Sequence, residues 1–282
     1  MEVLHHVIEH AVLDSIKMLP FLFAAFFLIE AFEKVSEKIS RFLLEKVGVA
    51  GPFVGALLGC IPQCGFSVMA SNFYAGGMIS VGTLLAVFLA TSDEAILMMI
   101  SHPQYSKKIL YLVVTKIVIA VLAGYIIDLI LRKRVMEEKE IDEICHNCGC
   151  HDSKGIVIPA IKHTIRIFMY ILIFTIILNF VIEWFGMEQV STYLLGNTAV
   201  QPIAAAVIGL IPNCAASVLL TQLYINGMIT FPSVIAGLCT SAGVALLVLF
   251  KMNHHREENI KIVGLLLAIS ICAGLILQMF LS

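Results

Sequence analysis

Apolar residues run through this chain in long stretches, and the polar positions between them fall at nearly the same places in its two halves. Ten apolar segments stand out, at about residues 11–32, 47–61, 64–76, 79–101, 109–131, 164–182, 198–211, 214–226, 229–250 and 260–281. Six of these reach the ~20 residues that a helix needs to cross the hydrocarbon core of a bilayer. The second, third, seventh and eighth are shorter and meet in pairs at one repeated string, Gly-x-Ile-Pro-(Gln/Asn)-Cys-x-x-Ser. The first copy runs from Gly59 through Ile61, Pro62, Gln63 and Cys64 to Ser67; the second runs from Gly209 through Ile211, Pro212, Asn213 and Cys214 to Ser217. Proline has no N–H and clashes with the preceding turn, so helical hydrogen bonding stops there. Breaks of this kind inside hydrophobic sequence are how membrane transporters expose backbone to a solute near mid-bilayer.

The two halves align beyond the motif. His10…Glu30 matches His163…Glu183, Pro52 matches Pro202, Thr91-Ser92 matches Thr240-Ser241, and Gly124 matches Gly274. Tyr74…Gly77-Met78-Ile79 returns as Tyr224…Gly227-Met228-Ile229. Five segments per half is an odd number, so the second copy is expected upside-down relative to the first. Each short pair is either two full crossings or one re-entrant hairpin, and the short arms favour the hairpin. The predicted fold is all-α and polytopic: a first repeat over 1–131, a polar loop over 132–157, and a second, inverted repeat over 158–282.

Composition agrees with this class. Of 282 residues 60% are hydrophobic and 13% charged, with a mean hydropathy of +0.97, whereas soluble chains carry roughly 25% charged residues. A net charge of −2 gives no argument for nucleic acid. The first residues, MEVLHHVIEH, lack the basic stretch and cleavage site of a signal peptide, so the first segment is read as a retained transmembrane helix. Lys34, Lys38, Arg41 and Lys46, then Arg132, Lys133 and Arg134, then Lys251, Arg256 and Lys261 mark one side, while 183–200 holds no Lys or Arg. Only Lys107 and Lys108 run against the pattern. The positive-inside rule then puts the central loop in the cytoplasm and both termini outside.

Asp93 and Glu94, in Thr91-Ser92-Asp93-Glu94, are expected near the middle of the fourth segment. Each carboxylate costs roughly 2.5–3.5 kcal/mol at a helix centre, so a proton, a cation or a basic group must offset it. The matching positions of the second half are Ala242 and Gly243, which leaves the charge to one half. One reading ties the acids to Lys116 in the next segment or keeps them protonated. The other is a cation site, with oxygen ligands from Thr91, Ser92, Gln63, Asn213, Ser67, Ser217 and carbonyls freed by the prolines. Oxygen-rich sites suit Mn²⁺ and other hard ions, and thiolates softer ones. Cys64 and Cys214, matched beside the prolines, therefore fit either a mixed site or packing at a tight helix start. Cys60, Cys239 and Cys272 read as small buried hydrophobes.

The central loop carries Cys145, His146, Cys148, Cys150 and His151 within seven residues, more than the four ligands of a tetrahedral zinc-like site. In a reducing compartment such a cluster favours metal capture over disulfides. It reads as a transition-metal loop or as a cysteine-rich linker. At the N-terminus His6 with His10, and His10 with Asp14, stand at i,i+4 and share a helix face. They fit a metal or proton relay, or simply a polar helix end.

The duplicated motif, the Thr-Ser-Asp-Glu run and the cysteine-rich loop resemble a family of prokaryotic membrane proteins, the ten-helix heavy-metal exporters. That family is labelled variously as arsenic efflux proteins and manganese transporters. The resemblance spans essentially the whole chain and implies a metal or metalloid exporter of the cytoplasmic membrane. The buried acids favour a divalent cation such as Mn²⁺; trivalent arsenic prefers several convergent thiolates. No Gly-x-x-x-x-Gly-Lys-(Ser/Thr) phosphate loop is present, so proton exchange is the expected coupling. No cofactor is expected to be required, with room for a bound Mn or Zn ion; the expected partners are the metal or metalloid ion and the bilayer, with room for a homo-oligomer. An arsenite or organoarsenical efflux permease, an intramembrane thiol oxidoreductase using Cys64 and Cys214, and a passive ion channel are the alternatives.

Overall fold

The computed structural model of the chain describes residues 16, 19–20, 22–24, 26–27, 50–61, 64–100, 106–131, 157–185 and 200–281. Among them there is helix and short connection, with no strand. The described positions between 16 and 27 are helical, and Phe26 stacks on His163 with ring centroids 5.4 Å apart. Five elements follow in the first half: α1 (Ala50–Gly59), α2 (Cys64–Ala75), α3 (Val81–Ala90), α4 (Asp93–Ile100) and α5 (Ser106–Leu131). After α6 (Val157–Phe185) come α7 (Val200–Gly209), α8 (Cys214–Ile225), α9 (Phe231–Thr240), α10 (Ala245–Met252) and α11 (Arg256–Leu281).

The second half repeats the first element by element. α2 and α8 have 12 residues each, α3 and α9 have 10, α4 and α10 have 8, and α5 and α11 have 26. The shared Gly-Met-Ile signature is a helix stop. Gly77 and Gly227 sit at φ 70° and 72°, a left-handed conformation that favours glycine. The amide of Met78 reaches back to Phe73 O (2.8 Å), and that of Met228 to Leu223 O (2.9 Å), which closes both helices in the same Schellman geometry.

One expectation is corrected here. The fourth and ninth segments are each two helices, so Asp93 and Glu94 open the first turn of α4 instead of lying mid-helix. The reason is local hydroxyl chemistry. Thr91 leaves the helical region at ψ 127°, and its Oγ1 donates back to Val87 O at 2.8 Å. Ser92 Oγ donates to Ala90 O at 3.2 Å. Hydroxyls that bond back to nearby carbonyls compete with the helical ladder and bend the chain. In the second half Ser241 bends the chain at ψ 74° and Gly243 turns left-handed at φ 55°.

Packing sorts the helices into centre and periphery. α3 is buried from Gly82 to Ala90 and α9 from Pro232 to Thr240. Among the described residues three runs are long and apolar enough to cross a membrane: 108–131, 231–252 and 256–281. The second, which contains the α9–α10 break, is 89% buried; the first and third are 28% and 22% buried, leaving large aliphatic faces for lipid. Close approach depends on small residues. A Cβ at Gly59 would meet Val87 O at 2.5 Å, and one at Gly124 would meet Pro52 Cβ at 2.8 Å. Gly274 stands in the same relation to Pro202, with a contact of 3.0 Å. Small residues let backbones approach where water gives no driving force.

The halves also interlock. α2 packs on α10, and α8 packs on α4, so the short helix after each break leans on the other half.

Candidate functional site around the two helix breaks

The C-terminal ends of α3 and α9 converge on one side chain. Lys116, on α5, has 0% exposure. Its Nζ donates to Thr91 O, the cap of α3, and to Leu238 O, near the end of α9, at 2.8 Å. A helix C-terminus carries about half a negative charge. Two such ends present about one, which an ammonium balances. Lys116 was visible in the sequence as a basic group near the acids; its carbonyl partners were not.

Each break is held by the serine of the preceding motif. Ser67 Oγ and Thr91 Oγ1 lie 2.7 Å apart, and Ser217 Oγ and Ser241 Oγ 2.5 Å apart; all four residues are buried. These bonds correct the alignment: Thr91 corresponds to Ser241, not Thr240, and Asp93 and Glu94 to Gly243 and Val244. Thr240 does something else, donating from Oγ1 to Ala206 O at 2.7 Å.

One turn beyond Ser67, Ser71 Oγ donates to Ala245 O at 2.8 Å, where α10 begins. Ser67 and Ser71 thus tie α2 to both breaks. Ser71 was not foreseen. Its signal was the matched hydroxyl pair Ser67/Ser71 and Ser217/Thr221, the last of which bonds back within its own helix to Ser217 O at 2.7 Å.

The motif residues divide by role. Asn213 is the N-cap of α8, its Oδ1 accepting from the Ala215 amide at 3.2 Å, so that oxygen serves the helix start. Cys64 and Cys214 open α2 and α8 and are half-buried. Cys60 Sγ points at Ala90 O, 3.9 Å away, beside the first break. Cys239 is buried, as expected of a small hydrophobe, but Cys272 is exposed on α11. Gln63, His10, Asp14, Cys145, His146, Cys148, Cys150 and His151 lie outside the described residues, as do the side chains of Asp93 and Glu94. Among the described residues no group of three His, Cys, Asp or Glu side chains could hold a metal ion.

The far end of α3 is closed as well. Ser80, its N-cap, donates to Asp128 Oδ2 at 2.7 Å, and the Gly82 amide donates to Asp128 Oδ1 at 2.9 Å. In the second half a neutral group does this work: Gln201 Oε1 accepts from Thr230 N (3.0 Å), Thr230 Oγ1 (3.0 Å) and Ser233 Oγ (2.7 Å).

Lipid-facing outer helices around two buried, broken ones, whose ends meet at a polar junction, define a multi-pass membrane protein built as a transporter. The chain matches the ArsP_2 family, described as "Putative, 10TM heavy-metal exporter", over residues 2–188 and 173–281. It belongs to that family. No curated protein and no solved structure matches it.

Proposed function

We propose that the protein is a secondary transporter that exports a divalent metal ion, Mn²⁺ in the first instance, in exchange for protons. The observation that carries this reading is the convergence of both breaks on one buried junction, with Asp93 and Glu94 two and three residues beyond Thr91 in the chain. Asp93 and Glu94 are the first two residues of α4, beside the polar break. They would release protons to take the ion and recover them to let it go. Thr91, Ser92, Ser67, Ser217 and the carbonyls of the breaks supply neutral oxygen; Gln63 joins them from the first motif.

The short motif helices support a re-entrant arrangement. At ~1.5 Å per residue α2 and α8 reach about 18 Å, well short of a ~30 Å core. On this reading each motif pair is a hairpin, the repeats are inverted, both termini lie outside and the Cys/His loop binds metal in the cytoplasm. Arsenite export is the second reading, favoured by Cys60 beside the first break and by Cys64 and Cys214 at the helix starts.

Reconstituted protein should move Mn²⁺ in response to an imposed pH gradient. Asp93→Asn and Glu94→Gln should each abolish that flux while still inserting in the membrane. Flux that persists in both single variants would remove the carboxylate mechanism.

A further inference from the structure

Lys116 stands where a free cation would be most at home. The carbonyls of Thr91 and Leu238 project from two converging helix ends, and unwound carbonyls with half-helix C-termini are the groups that coordinate cations in broken-helix carriers. A lysine at a helix centre is costly in hydrocarbon and is retained only where something offsets its charge. The fold does not demand it. Lys116 and Leu266 occupy matched positions on α5 and α11, 150 residues apart, and Leu266 is equally buried. The second half is therefore built around an aliphatic side chain at the same point, and the ammonium is an addition to the first.

We propose that the carbonyl ends of α3 and α9 form a cation seat, that the Lys116 ammonium fills it when no ion is bound, and that the transported cation competes with it there. Lys116 is then a tethered stand-in for the ion. It keeps the junction neutral in the empty carrier, so that the same broken helices are stable with and without cargo. The long, flexible lysine stem allows the headgroup to withdraw when an ion enters. This inference deepens the metal-transport reading and rests on it.

The test is thermal unfolding of the full-length protein in detergent, comparing the native chain with Lys116→Met. Buffers hold the bulky cation N-methylglucamine, methylammonium chloride or manganese chloride at matched ionic strength. With N-methylglucamine, Lys116→Met should melt about 5 °C or more below the native chain. Methylammonium or Mn²⁺ should restore at least half of that loss and move the native chain by no more than about 1 °C. If Lys116→Met is not recovered from membranes, Lys116→Gln, which keeps length and a neutral donor, carries the same expectation. A melting temperature that falls and answers to neither cation would reduce Lys116 to a structural brace and overturn the proposal. Equal cation responses in native and variant protein would also overturn it, because the ion would then bind elsewhere. Cation rescue in a protein that moves no Mn²⁺ in vesicles would leave the seat standing and remove the transport reading alone.

Discussion

Lys116 and Asp128 lie twelve residues apart on α5 and close opposite ends of α3. The ammonium meets the C-cap carbonyl of the short helix, and the carboxylate accepts from the Gly82 amide and the Ser80 hydroxyl at its start. Both placements oppose the α3 dipole, and both come from one rigid neighbour. A ten-residue helix is marginal alone; clamped at both ends by complementary charge it becomes a fixed strut beside the first break.

Removing the acid end of this clamp should weaken it in a graded way. Asp128→Asn keeps an acceptor for Gly82 N and should cost about 1 kcal/mol. Asp128→Leu leaves Ser80 Oγ and the Gly82 amide without that partner and should cost about 2 kcal/mol or more. Urea or thermal denaturation of the purified protein would read the difference; equal losses would mean that charge, not hydrogen bonding, dominates the cap.

Gly209 gives a sharper steric test. A Cβ there would run into Gly237 O and Thr240 Oγ1, and the first of these is backbone. Gly209→Ala should destabilise by about 1–3 kcal/mol, seen as a lower melting temperature. Gly264, with nothing within 4 Å of the same hypothetical atom, is the control, and Gly264→Ala should be neutral or mildly stabilising.

These two cases show what the residues disclosed by themselves. The repeat, the short motif helices and the matched pairs Pro52/Pro202 and Gly124/Gly274 were legible, because each depends on residue types at fixed spacing; that each glycine packs on a proline was not. The breaks in the fourth and ninth segments were not. Apolar sequence resumes on both sides of Thr91–Glu94 and of Thr240–Ser241, so each segment reads as one helix until the Thr91 hydroxyl is seen bonding backward to Val87 O. The carbonyl partners of Lys116 were out of reach for another reason: they belong to α3 and α9, which only tertiary packing brings together.

Cysteine chemistry separates the two substrate readings. Cys64→Ser and Cys214→Ser should leave Mn²⁺ flux within about twofold, since hard ions use oxygen. Under the arsenite reading the same variants should lose resistance to arsenite in cells. Growth on graded metal and arsenite, beside vesicle flux, would show which ion responds.

The loop cluster can be tested apart from transport. Replacing Cys145, Cys148 and Cys150 with serine should lower the zinc bound per purified chain by about one equivalent. Metal analysis after dialysis measures it, and an unchanged zinc content would make this segment a plain linker.

The exchange of short helices, α4 resting on α8 and α10 on α2, has a consequence for how the protein is made. Each post-break helix packs more on the other half than on its own, so a ribosome that has finished only the first must hold an unfinished surface in the bilayer until the second arrives. Cut within residues 132–156 and produced as two polypeptides, the halves should reassemble and work together, whereas either one expressed alone should be cleared by membrane proteases.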